Sequence, residues 1–376
     1  MSKAAELANL IGNINAGGGG VNRNLIINGA MNVAQRLSHA GTSSTGLGAN
    51  TSSTINRYIV CDRWAIDVEG STAGRYTLTQ DSSAPSGFAN SLKLDCTTAD
   101  GSIATGEAMV LNQIIEGQNV QGFAKGTSDA KPFAVSFYVK GNATATYVCE
   151  LFDGDNSRHV AKTFSVTTDW TRVELSFPAD TTGAFGDDNA ASLYLQIWLH
   201  AGETFKDPSG TLPATWASKT NGNRAVGGDS FFSSTDNTFF ITGVQLEVGQ
   251  NPTEFEVEPF EKTLAKCQRY YHLVASGSTK MMGMGDMYTT SQLNCIMHFP
   301  VQMRATPSLD ATSGTNYYTG YGGNSQTNMT NTWNLFAMTN NVASVYGTPT
   351  ASVTAGTAMR VFANNSSASI AFDAEL

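Results

Sequence analysis

Apolar and polar residues alternate with a period of two along residues 21–260, and clusters of Gly, Asn, Asp and Ser interrupt this alternation at short intervals. A period of two places successive side chains on opposite faces of a strand, whereas an amphipathic helix needs a period of about 3.6. Short strands between turn residues, without intervening helical patterns, indicate a β-sandwich, and their length and number favour the jelly-roll form. The predicted strands are Arg63–Val68, Arg75–Gln80, Ser91–Asp95, Phe133–Lys140, Tyr147–Phe152, Arg172–Phe177, Ser192–His200 and Thr238–Val248.

A second group of strands follows a change of composition near residue 260. Acidic residues give way there to Lys262–Gln268, which predicts one or two helical turns. The later predicted strands are Arg269–Val274, Asn294–Phe299, Trp333–Met338, Ala358–Ala363 and Ala368–Ala374. We therefore predict an all-β chain with a short N-terminal helix, a jelly-roll β-sandwich and a smaller C-terminal β-sandwich. The predicted domains are a helix and glycine linker in 1–20, the jelly roll in 21–260, a connector in 261–275 and the C-terminal sandwich in 276–376.

The N-terminal residues predict a helix with a single apolar stripe formed by Leu7, Leu10 and Ile11, followed by the glycine run Gly17–Gly20. A helix this short is marginal in water on its own. It is therefore expected to pack against copies of itself or a larger assembly. A frayed terminus is the alternative.

Composition argues against several classes of function. The chain carries 22 Lys+Arg against 31 Asp+Glu, for a net charge of −9, so it lacks the excess of cations that general nucleic-acid or anionic-membrane binding requires. The sequence has no apolar run long enough for a transmembrane helix, and residues 1–12 lack the features of a secretion signal. The five Cys residues are widely spaced and form no CxxC pair, which predicts buried, reduced thiols in a chain made in a cytoplasm.

Motifs that carry catalytic or metal chemistry are missing from the sequence. We find no GxSxG elbow, HExxH motif, Walker loop or dinucleotide-binding fingerprint, so we predict no enzymatic activity and no cofactor. Paired carboxylates of a glycoside hydrolase remain possible among the acidic residues. We predict no metal site. Asp153–Asn156 has the oxygen-rich alternation of a calcium loop but lacks its twelfth-position Glu, so a hairpin turn is favoured over calcium binding.

The strand Ser192–His200 has two chemically different faces. Leu193, Leu195, Ile197 and Leu199 form an aliphatic face that belongs in the core. The other face, formed by Tyr194, Gln196, Trp198 and His200, combines flat rings with hydrogen-bonding groups, so we predict that it binds a carbohydrate. If Phe133–Lys140 lies in the same sheet, Tyr138 joins this surface. The alternative is that residues 201–228, or a neighbouring chain, cover the face.

Aromatic residues also cluster in the C-terminal part. Tyr317, Tyr318, Tyr321 and Trp333 lie among Gly, Asn and Thr, a composition typical of recognition loops. We predict that these four residues contact a receptor, with ordinary packing at the base of a loop as the alternative.

Five stretches of the sequence, in the same order, resemble bacteriophage fibre and virion appendage proteins. The first stretch resembles the opening of those proteins, the next two resemble late strands of their carbohydrate-binding-module jelly rolls, and the last two resemble their C-terminal tip domain. The stretches are Asn24–Met31 followed by Asp62-Arg63-Trp64, Thr168–Val173, Ile241–Gly249, Lys266–Tyr271 and Met303–Pro307.

This resemblance implies a homotrimeric, non-enzymatic adhesion protein of a tailed phage, located on the virion and synthesised in the host cytoplasm. Its N-terminus would dock on tail, baseplate or capsid proteins, and its tip would face a polysaccharide of the host surface. The resemblance transfers no sugar-binding residues. We expect a tail fibre or receptor-binding protein that binds a bacterial surface glycan. A capsid decoration or head-fibre protein with a purely structural role is the first alternative, and a polysaccharide depolymerase is the second.

Overall fold

The computed structural model describes residues 2–15, 22–36, 58, 60–70, 73–322, 325–328 and 332–376. Described residues are nearly all in strands or loops, with a short N-terminal helix, which confirms the predicted fold class. The predicted glycine linker Gly17–Gly20 lies outside the described residues. The described chain divides into two compact units, one formed mainly within residues 1–259 and the other mainly by Phe260–Glu375.

The first unit contains two antiparallel sheets. After helix α1 (Lys3–Asn15), sheet A has the strand order β1-β4-β9-β6-β7-β10 and sheet B the order β2-β3-β11-β5-β8. The strands are β1 (Ala65–Glu69), β2 (Arg75–Asp81), β3 (Ser91–Thr98), β4 (Ala108–Glu116), β5 (Phe133–Gly141), β6 (Ala145–Asp153), β7 (Arg158–Val166), β8 (Thr171–Phe177), β9 (Ala191–Ala201), β10 (Ala217–Ser218) and β11 (Thr238–Val248).

Aromatic rings from both sheets meet in the core of the first unit. The ring of Phe137 in sheet B packs edge-to-face on Phe164 in sheet A at 5.0 Å, and Tyr147 in sheet A packs on Phe239 in sheet B at 5.5 Å. The two sheets therefore form a sandwich whose inner faces exclude water.

The second unit also contains two antiparallel sheets. Helix α2 (Phe260–Gln268) precedes sheet C, with the order β12-β21-β15, and sheet D, with the order β17-β16-β20-β13-β14-β19-β18. Residues 261–275, predicted as a connector, form part of α2 and most of β12. The strands are β12 (Tyr271–Ser276), β13 (Lys280–Thr289), β14 (Gln292–His298), β15 (Ser308–Ala311), β16 (Tyr318–Gly322), β17 (Ser325–Asn328), β18 (Asn334–Met338), β19 (Val342–Gly347), β20 (Ala358–Ala363) and β21 (Ser369–Asp373).

Strand β4 was missed by the sequence pattern for a physical reason. Its sequence AMVLNQIIE does not alternate, and all nine residues are buried. The inner face of β4 lies in the sandwich core, and its outer face lies beneath the segment 201–228. A strand covered on both faces has no polar side to reveal its period.

The segment 201–228 contains Pro208, Pro213 and several Gly, a composition that predicts a long surface excursion, but it packs on sheet A. Phe205, Trp216 and Ala225 are buried, and Ala217–Ser218 pairs with the edge strand β7. With Val110, Val148 and Trp198 of sheet A, Phe205 and Ala225 belong to a small apolar cluster on the outer face of that sheet. This segment consequently forms a third layer over part of the sandwich.

The prediction of buried thiols is confirmed within the described residues. All five thiols are buried and none forms a disulfide. Burial raises the pKa of the Cys295 thiol to about 11, so that group stays protonated at neutral pH.

Candidate functional site

Strand β9 divides into two faces as its sequence predicts. Leu193, Leu195, Ile197 and Leu199 are all buried, with exposures of 0–1 %, and they form the aliphatic inner face. Tyr194, Gln196 and Trp198 alternate with them and lie on the outer side of sheet A. The pairing of β9 with β4 shifts register after Trp198, so His200 pairs with the buried Met109 and leaves this alternation. The prediction of a core face on β9 is confirmed.

The segment 201–228 covers most of the outer face of β9. Trp198 is only 3 % exposed, its ring lies 5.3 Å from that of Phe205, and its Nε1–H donates to Glu150 at 2.8 Å. His200 and Gln196 are buried as well. A ring sealed in this way cannot stack on a sugar, so the prediction that Gln196, Trp198 and His200 form an exposed binding surface is wrong. The alternative of a covering segment is observed over Gln196 and Trp198.

A chain of buried hydrogen bonds lies beneath this cover and centres on Glu150. Its carboxylate accepts from Trp198, from Arg224 Nη2 at 2.8 Å and faces Nδ1 of His159 at 2.7 Å. Arg224 also donates to Oε1 of Gln196 at 2.6 Å, and Gln196 donates onward to Asn112 at 2.6 Å. We call Glu150, His159, Gln196, Trp198 and Arg224 the Glu150 network.

The charge state of Glu150 follows from these contacts. Burial alone would raise the pKa of its carboxyl, but hydrogen bonds from His159 and Arg224 and the charge of Arg224 outweigh burial and hold the pKa below its usual value. Glu150 is therefore an anion paired with a nearly buried guanidinium. Such a pair fixes the position of segment 201–228, because separating the partners would leave the buried Glu150 carboxylate without its cation.

Two half-buried aromatic side chains lie next to each other on the outer face of sheet A. Phe152 on β6 and Tyr194 on β9 occupy paired positions in sheet A, and their ring centroids lie 5.4 Å apart at an angle of 52°. Both rings are half-buried. The exposed ammonium of Lys219 lies 5.4 Å from the Phe152 centroid, and the Arg224 guanidinium lies 5.1 Å from it. We call Phe152, Tyr194 and Lys219 the ring-pair surface.

Sequence reasoning identified Tyr194 but missed Phe152 and Lys219. Phe152 ends a predicted strand, and the alternation of Val148, Glu150 and Phe152 places it on the outer face. Its position opposite Tyr194 depends on the pairing of β6 with β9, which joins residues 40 or more positions apart. The alternation of residues within one strand does not show which residue of another strand lies opposite.

Tyr138 does not join this surface. Strand β5 belongs to sheet B, whereas β9 belongs to sheet A, so the condition for including Tyr138 fails. Phe133, Val135, Phe137 and Val139 occupy the inner face of β5, which puts Tyr138 on the outer face of the opposite sheet. Its half-buried ring packs there against Phe88 at 5.4 Å. The prediction of one shared surface is wrong because alternation shows a strand's faces but not its sheet.

His200 lies in a separate polar cluster. Its Nδ1 lies 2.8 Å from the hydroxyl of Ser230, and its Nε2 lies 3.4 Å from Oε2 of Glu107. Burial lowers the pKa of His200 to about 4, so its imidazole is neutral at neutral pH.

The aromatic residues predicted for the C-terminal tip fall into two pairs. Tyr318 and Trp333 are buried in the core of the second unit, where their rings pack edge-to-face at 5.8 Å. The Tyr318 hydroxyl donates to the main chain and cannot face a receptor. Tyr317 and Tyr321 are half-buried, and Tyr321 packs on Phe362 at 5.3 Å. The receptor assignment of Tyr318 and Trp333 is corrected to core packing, which was the alternative.

Sheet D exposes several large apolar side chains. They are at least half exposed; they are Met281, Met284, Tyr288, Ile296 and Phe336. Alternation along β13 and β14 could have revealed three of them, because their neighbours Met287, Leu293 and Cys295 are buried.

The predicted N-terminal helix is present as α1. Leu7 and Ile11 are 57 % and 48 % exposed, so their stripe faces solvent in the single chain. Leu10 lies in α1, but its side chain is outside the described part of the structure. Attachment of these residues to a virion stays a prediction.

Comparisons with solved structures return weak similarities. The enzymatically active domain of bacteriophage CBA120 tailspike protein 4 has a TM-score of 0.29 and 13% identity over 60% of this chain, which spans only 21% of that chain. The family 11 carbohydrate-binding module of Clostridium thermocellum, solved with a mixed-linked tetrasaccharide, has a TM-score of 0.26 and 9% identity over 57% of this chain and 98% of that chain. The family 22 xylan-binding domain of Paenibacillus barcinonensis has a TM-score of 0.26 and 16% identity, covering 50% of this chain and 91% of that chain.

Similarities this weak establish neither a shared activity nor a shared ligand. No protein-family model matches the chain, and no curated protein matches it. Among the described residues, no helix has the length and apolar character that crossing a bilayer requires.

Proposed function

We propose that this chain is a virion fibre protein of a tailed phage that adheres to a glycan of the bacterial surface through the ring-pair surface. The observation that carries the proposal is the pair of half-buried rings, Phe152 and Tyr194, beside the exposed ammonium of Lys219. Sugar rings stack on aromatic faces, and their hydroxyl or carboxylate oxygens accept hydrogen bonds from an ammonium group. The resemblance of the sequence to phage fibre proteins supports the virion role.

The Glu150 network supports the binding role by holding this surface rigid. Arg224 packs on the Phe152 ring and is anchored by Glu150 and Gln196. Phe152 and Tyr194 also lie on neighbouring central strands of sheet A. Because these rings need not be ordered when a ligand arrives, binding costs less conformational entropy.

We propose a homotrimer, because a single shallow sugar site binds weakly and linked copies gain affinity through effective concentration. The exposed apolar side chains of α1 and of sheet D support contacts with other copies or with virion proteins. Native mass spectrometry of the full chain should give the trimer mass, and Ile296→Asp should shift it toward the monomer. A wild-type monomer at micromolar concentration would contradict the trimer.

We propose that adhesion proceeds without bond cleavage. The Glu150 carboxylate is occupied by Arg224, Trp198 and His159, and that of Asp153 by Lys125, so neither can serve as a general acid or base. Purified host capsule or lipopolysaccharide should keep its chain length after incubation with the protein. Shortened chains would establish the depolymerase instead.

The binding test compares variants of the full chain on immobilised host envelope polysaccharide. Tyr194→Ala and Phe152→Ala should each weaken binding at least about 10-fold, since each removes a stacking face worth on the order of 1.4 kcal/mol. Tyr288→Ala is the matched control because it removes an exposed ring from the other unit. Circular dichroism must show that all three variants fold. Unchanged binding by both ring-pair variants would reject this surface.

A structural head-fibre role is the second candidate, and the cover over β9 favours it. Segment 201–228 buries most of the face that would otherwise bind sugar. Labelling the chain with gold and imaging the virion distinguishes the two roles, since a tail position supports receptor binding and a capsid position supports decoration. Synthesis in the host cytoplasm is part of the same proposal and is supported by the five buried thiols without disulfides.

A further inference from the structure

Three side chains with metal-binding atoms converge at one end of the β-sandwich unit. Asp100 follows β3, Glu107 immediately precedes β4, and His200 lies near the end of β9. One potential ligand atom from each lies within 4.8 Å of the other two. The three residues are 5 %, 2 % and 1 % exposed, so this is an interior cluster rather than a group of surface acids.

Asp100 and His200 are held in place by contacts outside the cluster. Asp100 accepts from the main-chain N–H groups of Ala73 and Ser102, both at 2.9 Å. Ser230 contacts Nδ1 of His200 at 2.8 Å, which leaves Nε2 directed toward Glu107. Protein metal sites use this arrangement, in which a hydrogen bond at one imidazole nitrogen orients the other toward the ion.

The spacing within the cluster fits a small divalent ion. Bonds of about 2.0–2.1 Å at tetrahedral angles place neighbouring zinc ligands about 3.3 Å apart. Nε2 of His200 and Oε2 of Glu107 are separated by 3.4 Å. These two atoms could therefore share an ion with little movement of the protein.

Charge also favours a cation at this position. Asp100 and Glu107 share a side-chain hydrogen bond in the interior, where two ionised carboxyl groups would repel each other strongly unless a cation lay between them. A divalent ion would neutralise both carboxylates at once.

We propose that Asp100, Glu107 and His200 form a binding site for a divalent transition-metal ion, with Zn²⁺ as the representative ion. The imidazole ligand selects this class, because Ca²⁺ and Mg²⁺ take oxygen ligands whereas Zn²⁺ and related ions accept nitrogen readily. Asp100 follows a strand of sheet B, while Glu107 and His200 belong to strands of sheet A or their ends. The ion would cross-link the two sheets and therefore has a structural role.

The test uses the full chain after dialysis against a chelator. Titration calorimetry should show one Zn²⁺ bound per chain, and the ion should raise the melting temperature, whereas Ca²⁺ should do neither. Co²⁺ should give a visible absorption spectrum of mixed nitrogen and oxygen ligation. Glu107→Gln and Asp100→Asn, which keep side-chain shape, should each weaken Zn²⁺ binding at least about 10-fold.

The control is His298→Gln, which removes an exposed imidazole of the second unit and should leave Zn²⁺ binding unchanged. Absence of Zn²⁺ and Co²⁺ binding to the folded wild-type chain would overturn the proposal, as expected for two carboxyl groups that merely share a proton. Equal Zn²⁺ affinity in wild type and both carboxyl variants would overturn it too. If a variant fails to fold, the wild-type stoichiometry and the Co²⁺ spectrum still decide the outcome.

Discussion

Nζ of Lys125 lies 2.5 Å from Oδ2 of Asp153, and both side chains are fully buried. The same ammonium lies 3.1 Å from a carboxylate oxygen of Asp180 and donates to the carbonyl oxygens of Thr182 and Gly183 at 2.9 and 2.7 Å. The ammonium is thus surrounded by oxygen atoms, as a bound cation would be. Asp153 begins the turn between β6 and β7, which agrees with the predicted hairpin. The ammonium of Lys125 lies beside the Asp153 carboxylate, where the alternative interpretation would place a calcium ion.

Lys125→Met should destabilise the first unit by about 3–5 kcal/mol, because it leaves the Asp153 carboxylate buried without its cation. Urea denaturation followed by tryptophan fluorescence measures this loss. Lys93→Met is the matched control, since Lys93 pairs with Asp95 at 2.8 Å but both side chains are a quarter or more exposed. The control should cost no more than about 1 kcal/mol. Equal effects of the two substitutions would show that burial does not govern the Lys125 pair.

The Glu150 network should respond non-additively to substitution. Arg224→Met leaves the Glu150 carboxylate without its guanidinium and should lower the free energy of unfolding by about 3–5 kcal/mol. Adding Glu150→Gln removes the unpaired buried charge. The double variant should therefore be more stable than the sum of the two single losses predicts, by about 1 kcal/mol or more. A urea-denaturation cycle measures this coupling. Additive losses would mean that Arg224 and Glu150 stabilise the unit independently.

The local pattern predicted the faces of most strand residues, with His200 after the register shift in β9 as an exception, but it did not predict which strands are neighbours. The aliphatic face of β9 follows from Leu193, Leu195 and Ile197 alone, since period and polarity act within one strand. Whether Tyr138 joins Tyr194 depends on pairings between distant strands, and here β5 pairs with β8 and β11 rather than β9. Those pairings arise from packing of the whole unit.

Burial of the predicted binding rings also depended on distant residues. Trp198 is covered by Phe205 and Arg224, which lie in a segment whose Gly and Pro content suggested a surface loop. Likewise, Asp100, Glu107 and His200 meet although His200 is 93 positions from Glu107. Spacing rules detect metal sites whose ligands are close in sequence, so they missed this cluster.

The second unit should lose stability as the pH falls below neutrality because of His272. Burial lowers the pKa of His272 to about 4, and its Nδ1 has no hydrogen-bond partner among the described residues. The unfolded chain, with an ordinary pKa of about 6.5, therefore takes up this proton before the folded chain does. Above about pH 6.5, His272 is neutral in both the folded and the unfolded chain and does not reduce the free energy of unfolding. As the pH falls toward 4, protonation of the unfolded chain lowers this free energy progressively, by about 2 kcal/mol after allowing for partial exposure.

His272→Phe removes the group and should flatten the dependence of the free energy of unfolding on pH between 4 and 6.5. His298→Gln is the control, since His298 is an exposed residue of the same unit and should leave the slope unchanged. Chemical denaturation at several pH values measures both slopes. A slope that survives His272→Phe would assign the pH dependence to carboxyl groups instead.

Trp198 and Tyr194 lie on one face of one strand, but their substitution by Ala should affect different properties, stability for Trp198 and glycan binding for Tyr194. Trp198→Ala removes a ring that is 3 % exposed and leaves the Glu150 carboxylate without one donor, so it should cost about 3–5 kcal/mol. Tyr194→Ala removes a half-buried ring and should cost less, about 1–2 kcal/mol, while abolishing its stacking contribution to glycan binding.

Measuring unfolding and glycan binding on the same preparations separates these effects. At a urea concentration where both variants remain folded, Trp198→Ala should bind nearly as well as wild type, because its ring contacts protein and not ligand. Tyr194→Ala should be folded and weak in binding. The opposite pattern, with intact binding in Tyr194→Ala and lost binding in a folded Trp198→Ala, would mean that segment 201–228 opens to admit the glycan, since only then could the covered ring of Trp198 reach it.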